Sequence, residues 1–179
     1  MISDDVPAWV DSAPLDVRIR AATPADVLGI EAVTIAAFLD APHAGRTEQR
    51  IVSALRGAGE LAVSIVAEAD GTLVGFVAAS PVSISDGATG WFGLGPVAVF
   101  PPCRGRGIGS QLVRAALRTL RERGASGCVL LGDPGYYGRF GFRAAPELVF
   151  PGVPTQYFQA MSFDSSNARG VVSYPTSRG

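Results

Sequence analysis

The spacing of apolar and polar positions changes along the chain, and each change marks an element. Residues 17–22, VRIRAA, alternate and predict a strand. The following TPADVLGIEAVTIAAF opens with helix-start chemistry: Thr23 as N-cap, Pro24 at the first helical position and Asp26 in the first turn. Apolar residues then recur at Val27, Ile30, Val33 or Thr34, and Ala37, which is one helical face. A loop with Pro42, His43 and Gly45 leads to a second short helix over 47–56. Two β-rich runs within 61–82 flank Asp70 and Gly71, a pair suited to a tight hairpin turn.

The strand predicted over 89–100 is interrupted by Gly93, Gly95 and Pro96. Such residues weaken a ladder and mark a bulge or a close approach to the backbone. A helix over 108–123 follows, stopped at Gly124. Residues 127–132, GCVLLG, predict a short buried strand, and 133–142 a helix of one or two turns ended by Gly141. Further strands are expected near 144–150 and 155–163. Residues 1–16 read as a leader and 164–179 carry no strong pattern. One domain over 17–163 results. Its strands outnumber its crossover helices, so the fold class is α+β with a mixed sheet.

Composition narrows the chemistry. With 179 residues, 47% hydrophobic and 17% charged, the chain has the balance of one globular domain. All fifteen basic residues are arginine, so any mechanism that needs a lysine is excluded. The net charge of −1 gives no general attraction to nucleic acid. Arg114, Arg118 and Arg121 share a helical face without interleaved aromatics, the pattern of a solvated exterior. Two cysteines without a CxxC spacing make neither a disulfide framework nor a metal site. The N-terminal MISDDVPAWVDSAP lacks the basic and apolar regions of a signal peptide, and no apolar run reaches a membrane span of roughly 20 residues. A cytoplasmic protein is expected.

The stretch AVFPPCRGRGIGSQLVRAAL, residues 98–117, carries the most specific chemistry. A strand ends at two prolines, arginine and glycine alternate, and a helix begins. Helix N-termini present unpaired N–H groups and partial positive charge, and so bind anions. Gly105, Gly107 and Gly109 let a phosphate approach the backbone, while Arg104 and Arg106 add charge. A Walker A loop fails for want of lysine. A dinucleotide fingerprint fits poorly, because the glycines follow a late strand and are spaced G-x-G-x-G. The pyrophosphate of coenzyme A is the third candidate.

AVFPPCRGRGIGSQLV resembles the acyl-CoA-binding motif of the GNAT superfamily of N-acyltransferases, [Q/R]-x-x-G-x-[G/A], with Arg104, Gly107 and Gly109 in its three defined places. The segment YYGRFGF is similar to the family's later Tyr-x-x-x-Gly-Phe element, with Tyr137, Gly141 and Phe142 in register, and LGDPGYYGRFGF resembles one bacterial subgroup. The order of elements agrees over 17–163. The resemblance implies a mostly antiparallel sheet of six to seven strands flanked by helices, acetyl-CoA as acyl donor, and a small-molecule or peptide amine as acceptor. A homodimer is a family-level expectation.

By the same resemblance, the backbone of Val97, Ala98 and Val99 would hold the pantetheine arm like an added strand. The N–H groups of Gly105, Arg106, Gly107, Ile108, Gly109 and Ser110 would hold the pyrophosphate. A strand amide would polarise the thioester carbonyl, and Tyr137 would protonate the departing thiolate. Tyr136 is its rival, one residue away. A non-catalytic acyl-CoA sensor is the alternative function. No general base stands out among His43, Glu31, Asp40, Glu48 and Glu68. Cys103 lacks the His or acid partner of an acyl-enzyme nucleophile. Asp133 suits the cap of the short helix, and DPGYY replaces a segment in which many family members carry an Asn.

Overall fold

The computed structural model describes residues 15–39, 61–165 and 167–174. The expected helix over 47–56, the 40–46 loop with His43, and Asp40 and Glu48 lie outside the described residues. Strand β1 (Val17–Ala21) leads through a 3-10 turn at Pro24–Asp26 into helix α1 (Val27–Leu39). Asp26 closes this corner. Its carboxylate accepts from the Thr23 amide at 2.7 Å and from the Arg20 guanidinium at 2.8 and 3.0 Å. Glu68 accepts from the same arginine at 2.9 Å. As the helical spacing predicts, α1 buries Ile30, Val33, Thr34 and Ala37.

Strands β2 (Val63–Ala69) and β3 (Thr72–Pro81) form the expected hairpin. Its turn residues Asp70 and Gly71 both have positive φ, 52° and 73°, as a type I′ turn requires. The short β4 (Ser83–Ile84) precedes β5 (Trp91–Val99), which pairs antiparallel with β3. Helix α2 (Ile108–Glu122) follows, with Gly107 as its N-cap and Gly124, φ +78°, just past its end. Its inner face buries Ile108, Leu112, Val113, Ala116, Leu117 and Leu120. Burial of each large aliphatic side chain stabilises the fold by about 1.5–3 kcal/mol. The helix lies close to the sheet because Gly75 has no side chain. A Cβ there would come within 2.8 Å of Leu112 Cδ1 and 3.2 Å of Ile108 Cγ2.

The rest of the chain supplies β6 (Gly127–Leu131), helix α3 (Pro134–Tyr137) continued by a 3-10 turn, β7 (Arg143–Ala144), β8 (Leu148–Val149), β9 (Phe158–Ser162) and β10 (Gly170–Ser173). Seven strands make one sheet in the order β1-β2-β3-β5-β6-β9-β7. Every neighbouring pair is antiparallel except β5 and β6. This is the mixed, mostly antiparallel α+β sheet expected. On α2, Arg114 and Arg121 lie over the rings of Phe140 and Phe163, at 5.0 and 4.7 Å.

Several strands depart from the sequence pattern, among them β4, which no run predicts. The runs near 144–150 and 155–163 resolve into the short β7 and β8 and the five-residue β9. Residues 170–173, where no element is predicted, form β10 at the centre of a second sheet ordered β4-β10-β8. This small sheet packs on the large one through Ile84, Leu148 and Val172, which meet Trp91, Val129 and Phe158. Next to it the ring of Tyr174 covers Gly93, where a Cβ would come within 2.3 Å of Tyr174 Cε2. One of the three strand interruptions thus marks a close approach.

Candidate functional site

A second interruption opens the sheet. Along β5, Leu94 pairs with Ala79 and Val97 with Val77, so Gly95 and Pro96 stand opposite the single residue Ala78. That is a bulge, and Gly95 takes φ +143°, a conformation glycine tolerates. Strands β5 and β6 pair only at 91–93 with 127–129 and then separate. Past that point the outer edge of β5 has no β6 partner.

The ladder alternation decides which backbone groups face this opening. The Phe100 amide donates to the Val74 carbonyl at 2.8 Å, so the paired residues Ala98 and Phe76 also exchange hydrogen bonds. Val97 and Val99 therefore turn their N–H and C=O groups away from β3, toward the opening. The Ala98 backbone is spent within the sheet, and its side chain is buried against Val33 and Ala37. An added strand would meet Val97 and Val99, not Ala98.

A cleft of about 520 Å³ occupies the gap. Val97 and Val99 form one wall, the loop and first turn of α2 another, and Tyr136, Tyr137 and Arg139 a third. Arg104, Gly105, Gly107, Ile108, Gly109 and Ser110 all line it, whereas Arg106 does not. Gly105 and Gly107 both have φ +80°, which turns the chain sharply from β5 into α2. The first N–H to close an α-helical bond is that of Gln111, to the Gly107 carbonyl at 3.0 Å. The amides of Ile108, Gly109 and Ser110 precede it, at the positive end of a 15-residue helix. Arg104 has a second role: its Nη2 donates to the Ala37 carbonyl at 2.8 Å, tying the loop to the C-terminal turn of α1.

The two tyrosines, adjacent in sequence, have different surroundings. The Tyr136 hydroxyl lies 3.3 Å from Ser110 Oγ, and Arg139 stacks over the Tyr136 ring at 4.5 Å. A Cβ on Gly109 would come within 3.0 Å of that hydroxyl, so Tyr136 reaches over the first turn of α2. Tyr137 sits among aromatics instead. Its ring meets Tyr136 edge-on at 4.9 Å and Phe142 at 6.2 Å, and packs flat on Gly132. Burial, with a smaller contribution from Tyr136, pushes its phenol up to about 12. Among the described residues its hydroxyl has no hydrogen-bond partner. Asp133 caps α3, accepting from the Gly135 amide at 3.0 Å.

Cys103 is fully buried beside the loop, and desolvation raises its thiol despite the nearby Arg106. A thiol held protonated is a poor nucleophile. The cleft also includes Ala37 and Phe38 of α1, which no local sequence signal connects with a loop some 65 residues later. Tyr136 and Arg139 lie within the recognised aromatic element, but only the fold separates their surroundings from those of Tyr137.

Known proteins share this fold. A family model described as an acetyltransferase (GNAT) domain matches residues 18–145. The uncharacterized N-acetyltransferase YhbS of Escherichia coli K12 is 39% identical over 128 residues, 71% of this chain and 74% of that protein. A GNAT family acetyltransferase from Brucella melitensis, solved in complex with acetyl-CoA, superposes with a TM-score of 0.81 at 44% identity, covering 90% of this chain and 97% of that one. YhbS from Escherichia coli, solved in complex with CoA, superposes with a TM-score of 0.83 at 35% identity, covering 92% of each chain. With a family model spanning most of the sheet and a curated relative above one-third identity, this chain belongs to the GNAT acetyltransferase family.

Proposed function

We propose that this protein transfers the acetyl group of acetyl-CoA to a primary amine on a small molecule or peptide. The observation that carries the reading is the cleft itself, with a helix N-terminus, an open strand edge and a buried phenol on its walls. The acetyl-CoA and CoA complexes of the two structural relatives support the same donor.

The loop and first-turn amides of Gly105, Gly107, Ile108, Gly109 and Ser110 hold the pyrophosphate, helped by the partial charge of α2. The outward N–H and C=O groups of Val97 and Val99 pair with the pantetheine amides as a strand would. One of these strand amides also donates to the thioester oxygen and stabilises the negative charge that develops there. The amine nitrogen attacks the carbonyl carbon, a C–N bond forms and the C–S bond breaks. The thiolate takes the proton of Tyr137, and the proton that the amine releases restores the phenol. Holding both reactants in one cleft supplies much of the acceleration. Tyr137 fits the acid role better than Tyr136, whose hydroxyl already has Ser110 beside it.

Calorimetry with acetyl-CoA, followed by thiol release across an amine panel of spermidine, tyramine, kanamycin and a lysine-bearing peptide, tests this reading. Micromolar binding and amine-dependent CoA release are expected. Binding without release for any amine favours the sensor alternative, and binding of NAD or ATP in place of acetyl-CoA overturns the donor assignment.

A further inference from the structure

Gln159 is the one strongly buried side chain among the described residues whose polar atoms are only half used. It is 1% exposed, the second residue of β9, paired with Leu130 of β6 and Ala144 of β7. Its face of the sheet is the apolar one under α2, shared with Leu130 and Met161. Nε2 donates to the Gly132 carbonyl at 3.0 Å, while Oε1 has neither a partner nor contact with solvent. An orphaned buried carbonyl costs about 1–3 kcal/mol, and a methionine of similar length would fill the space without it. The single bond that Gln159 makes therefore needs a reason.

Gly132 supplies one. It is the first residue past β6, immediately before the Asp133 cap of the turn that carries Tyr137. Its amide donates to the Tyr157 carbonyl at 3.0 Å, and its carbonyl accepts from Gln159. Its bare Cα is the floor of the Tyr137 ring, where a Cβ would come within 2.4 Å of Tyr137 Cε2. Past Val129 this segment no longer has β5 to hold it. We infer that Gln159 is a positioning residue: its amide fixes the peptide of Gly132 at the free end of β6, and Gly132 in turn sets where the Tyr137 phenol stands in the cleft.

This inference rests on the proposed role of Tyr137, and its test separates the two. The protein has four tyrosines, so 3-fluorotyrosine labelling gives a small set of fluorine resonances, and Tyr137→Phe assigns the one that matters. In Gln159→Met the Tyr137 line moves while that of Tyr174 stays, and the melting temperature holds or rises. With the best panel amine, kcat falls about ten- to a hundredfold, the scale of a misplaced catalytic group. KM for acetyl-CoA stays within about twofold, because the cradle of residues 105–110 is untouched. In a Tyr137→Phe background Gln159→Met has no further effect on kcat. An unmoved Tyr137 line overturns the inference, as does a movement of all lines with a lowered melting temperature, which marks a general packing role. If the Tyr137 line moves alone but Tyr137→Phe keeps full kcat, the positioning stands and the acid assignment falls. Should Gln159→Met fail to fold, Gln159→Leu removes the same bond to the Gly132 carbonyl, and a still Tyr137 line there overturns the inference.

Discussion

Removing the hydroxyl in Tyr137→Phe tests the chemistry most directly, and the buried phenol gives the effect a size and a pH signature. A phenol pushed up to about 12 lies about 3.5 units above an ordinary thiol, so full proton transfer to a thiolate in water would cost about 5 kcal/mol. Apolar surroundings that also raise the CoA thiol would narrow that gap. A positioned general acid contributes about 10²–10⁴ in rate, and the residual mismatch places the loss in Tyr137→Phe near the lower end, about a hundredfold in kcat. The acid works only while protonated. At pH 10.5 a phenol of pKa about 12 remains about 97% protonated, against about a quarter for an ordinary tyrosine. The pH profile of kcat should therefore show no descending limb below about pH 11 attributable to this group. The assay is thiol release under saturating acetyl-CoA and amine from pH 7 to about 10.5, with folding at each pH checked by circular dichroism. A limb centred near 10 that disappears in Tyr137→Phe would show the phenol to be solvated, and an unchanged kcat in that variant would refute its role as the acid.

Tyr136→Phe should weaken acetyl-CoA binding several-fold by calorimetry while leaving kcat unchanged, because the lost hydroxyl sits at Ser110 and not in the aromatic pocket of Tyr137. Gly107→Ala puts a side chain at φ +80° with nothing within 4 Å of the new Cβ. The expected cost is thus purely conformational, about 1–2 kcal/mol, read as a lower melting temperature and a roughly tenfold weaker acetyl-CoA Kd as the helix start reshapes. Gly93→Ala drives a methyl into the ring of Tyr174 and should destabilise by about 1–3 kcal/mol; denaturant titration checks it, and Tyr174→Ala should absorb most of the effect. Hydrogen bonds from Arg20 and Thr23 hold the Asp26 carboxyl well below its ordinary value. Its stabilising contribution is present above the unfolded pKa of about 4 and fades as pH falls toward the folded value. Asp26→Asn should accordingly lose about 1–3 kcal/mol at pH 7, and the gap should narrow but not close at pH 3, as urea titrations at the two pH values would read.

The features legible in the sequence share one physical property: they close within a few residues of themselves. The β2–β3 hairpin follows from Asp70 and Gly71, whose positive φ values form the turn. The ends of α2 follow from Gly107 and Gly124, and its buried face from the 3.6-residue spacing of Ile108, Leu112 and Leu120. The glycine-arginine loop and the helix start after it are contiguous, so the turn they make is local. Gly95 and Pro96 signalled a bulge for the same reason, since one lacks a Cβ and the other an N–H.

What depended on distant partners was not legible. Strand β10 is four residues long, and its partners Ile84 and Leu148 lie far back in the chain. Such pairing is repaid only after long loops close, and it leaves little local pattern. The same limit hid the bond from Arg104 to Ala37 and the link from Gln159 through Gly132 to Tyr137. It also left Tyr136 as a rival to Tyr137. The sequence by itself determined β1, α1, the β2–β3 hairpin, α2 and the aromatic turn, because short-range hydrogen bonds and backbone sterics specify them. Only the tertiary structure decided that Val97 and Val99 face the cleft while Ala98 does not, and that one tyrosine touches the helix start while its neighbour is buried. Which edge stays unpaired and which phenol loses its water are properties of the packed sheet.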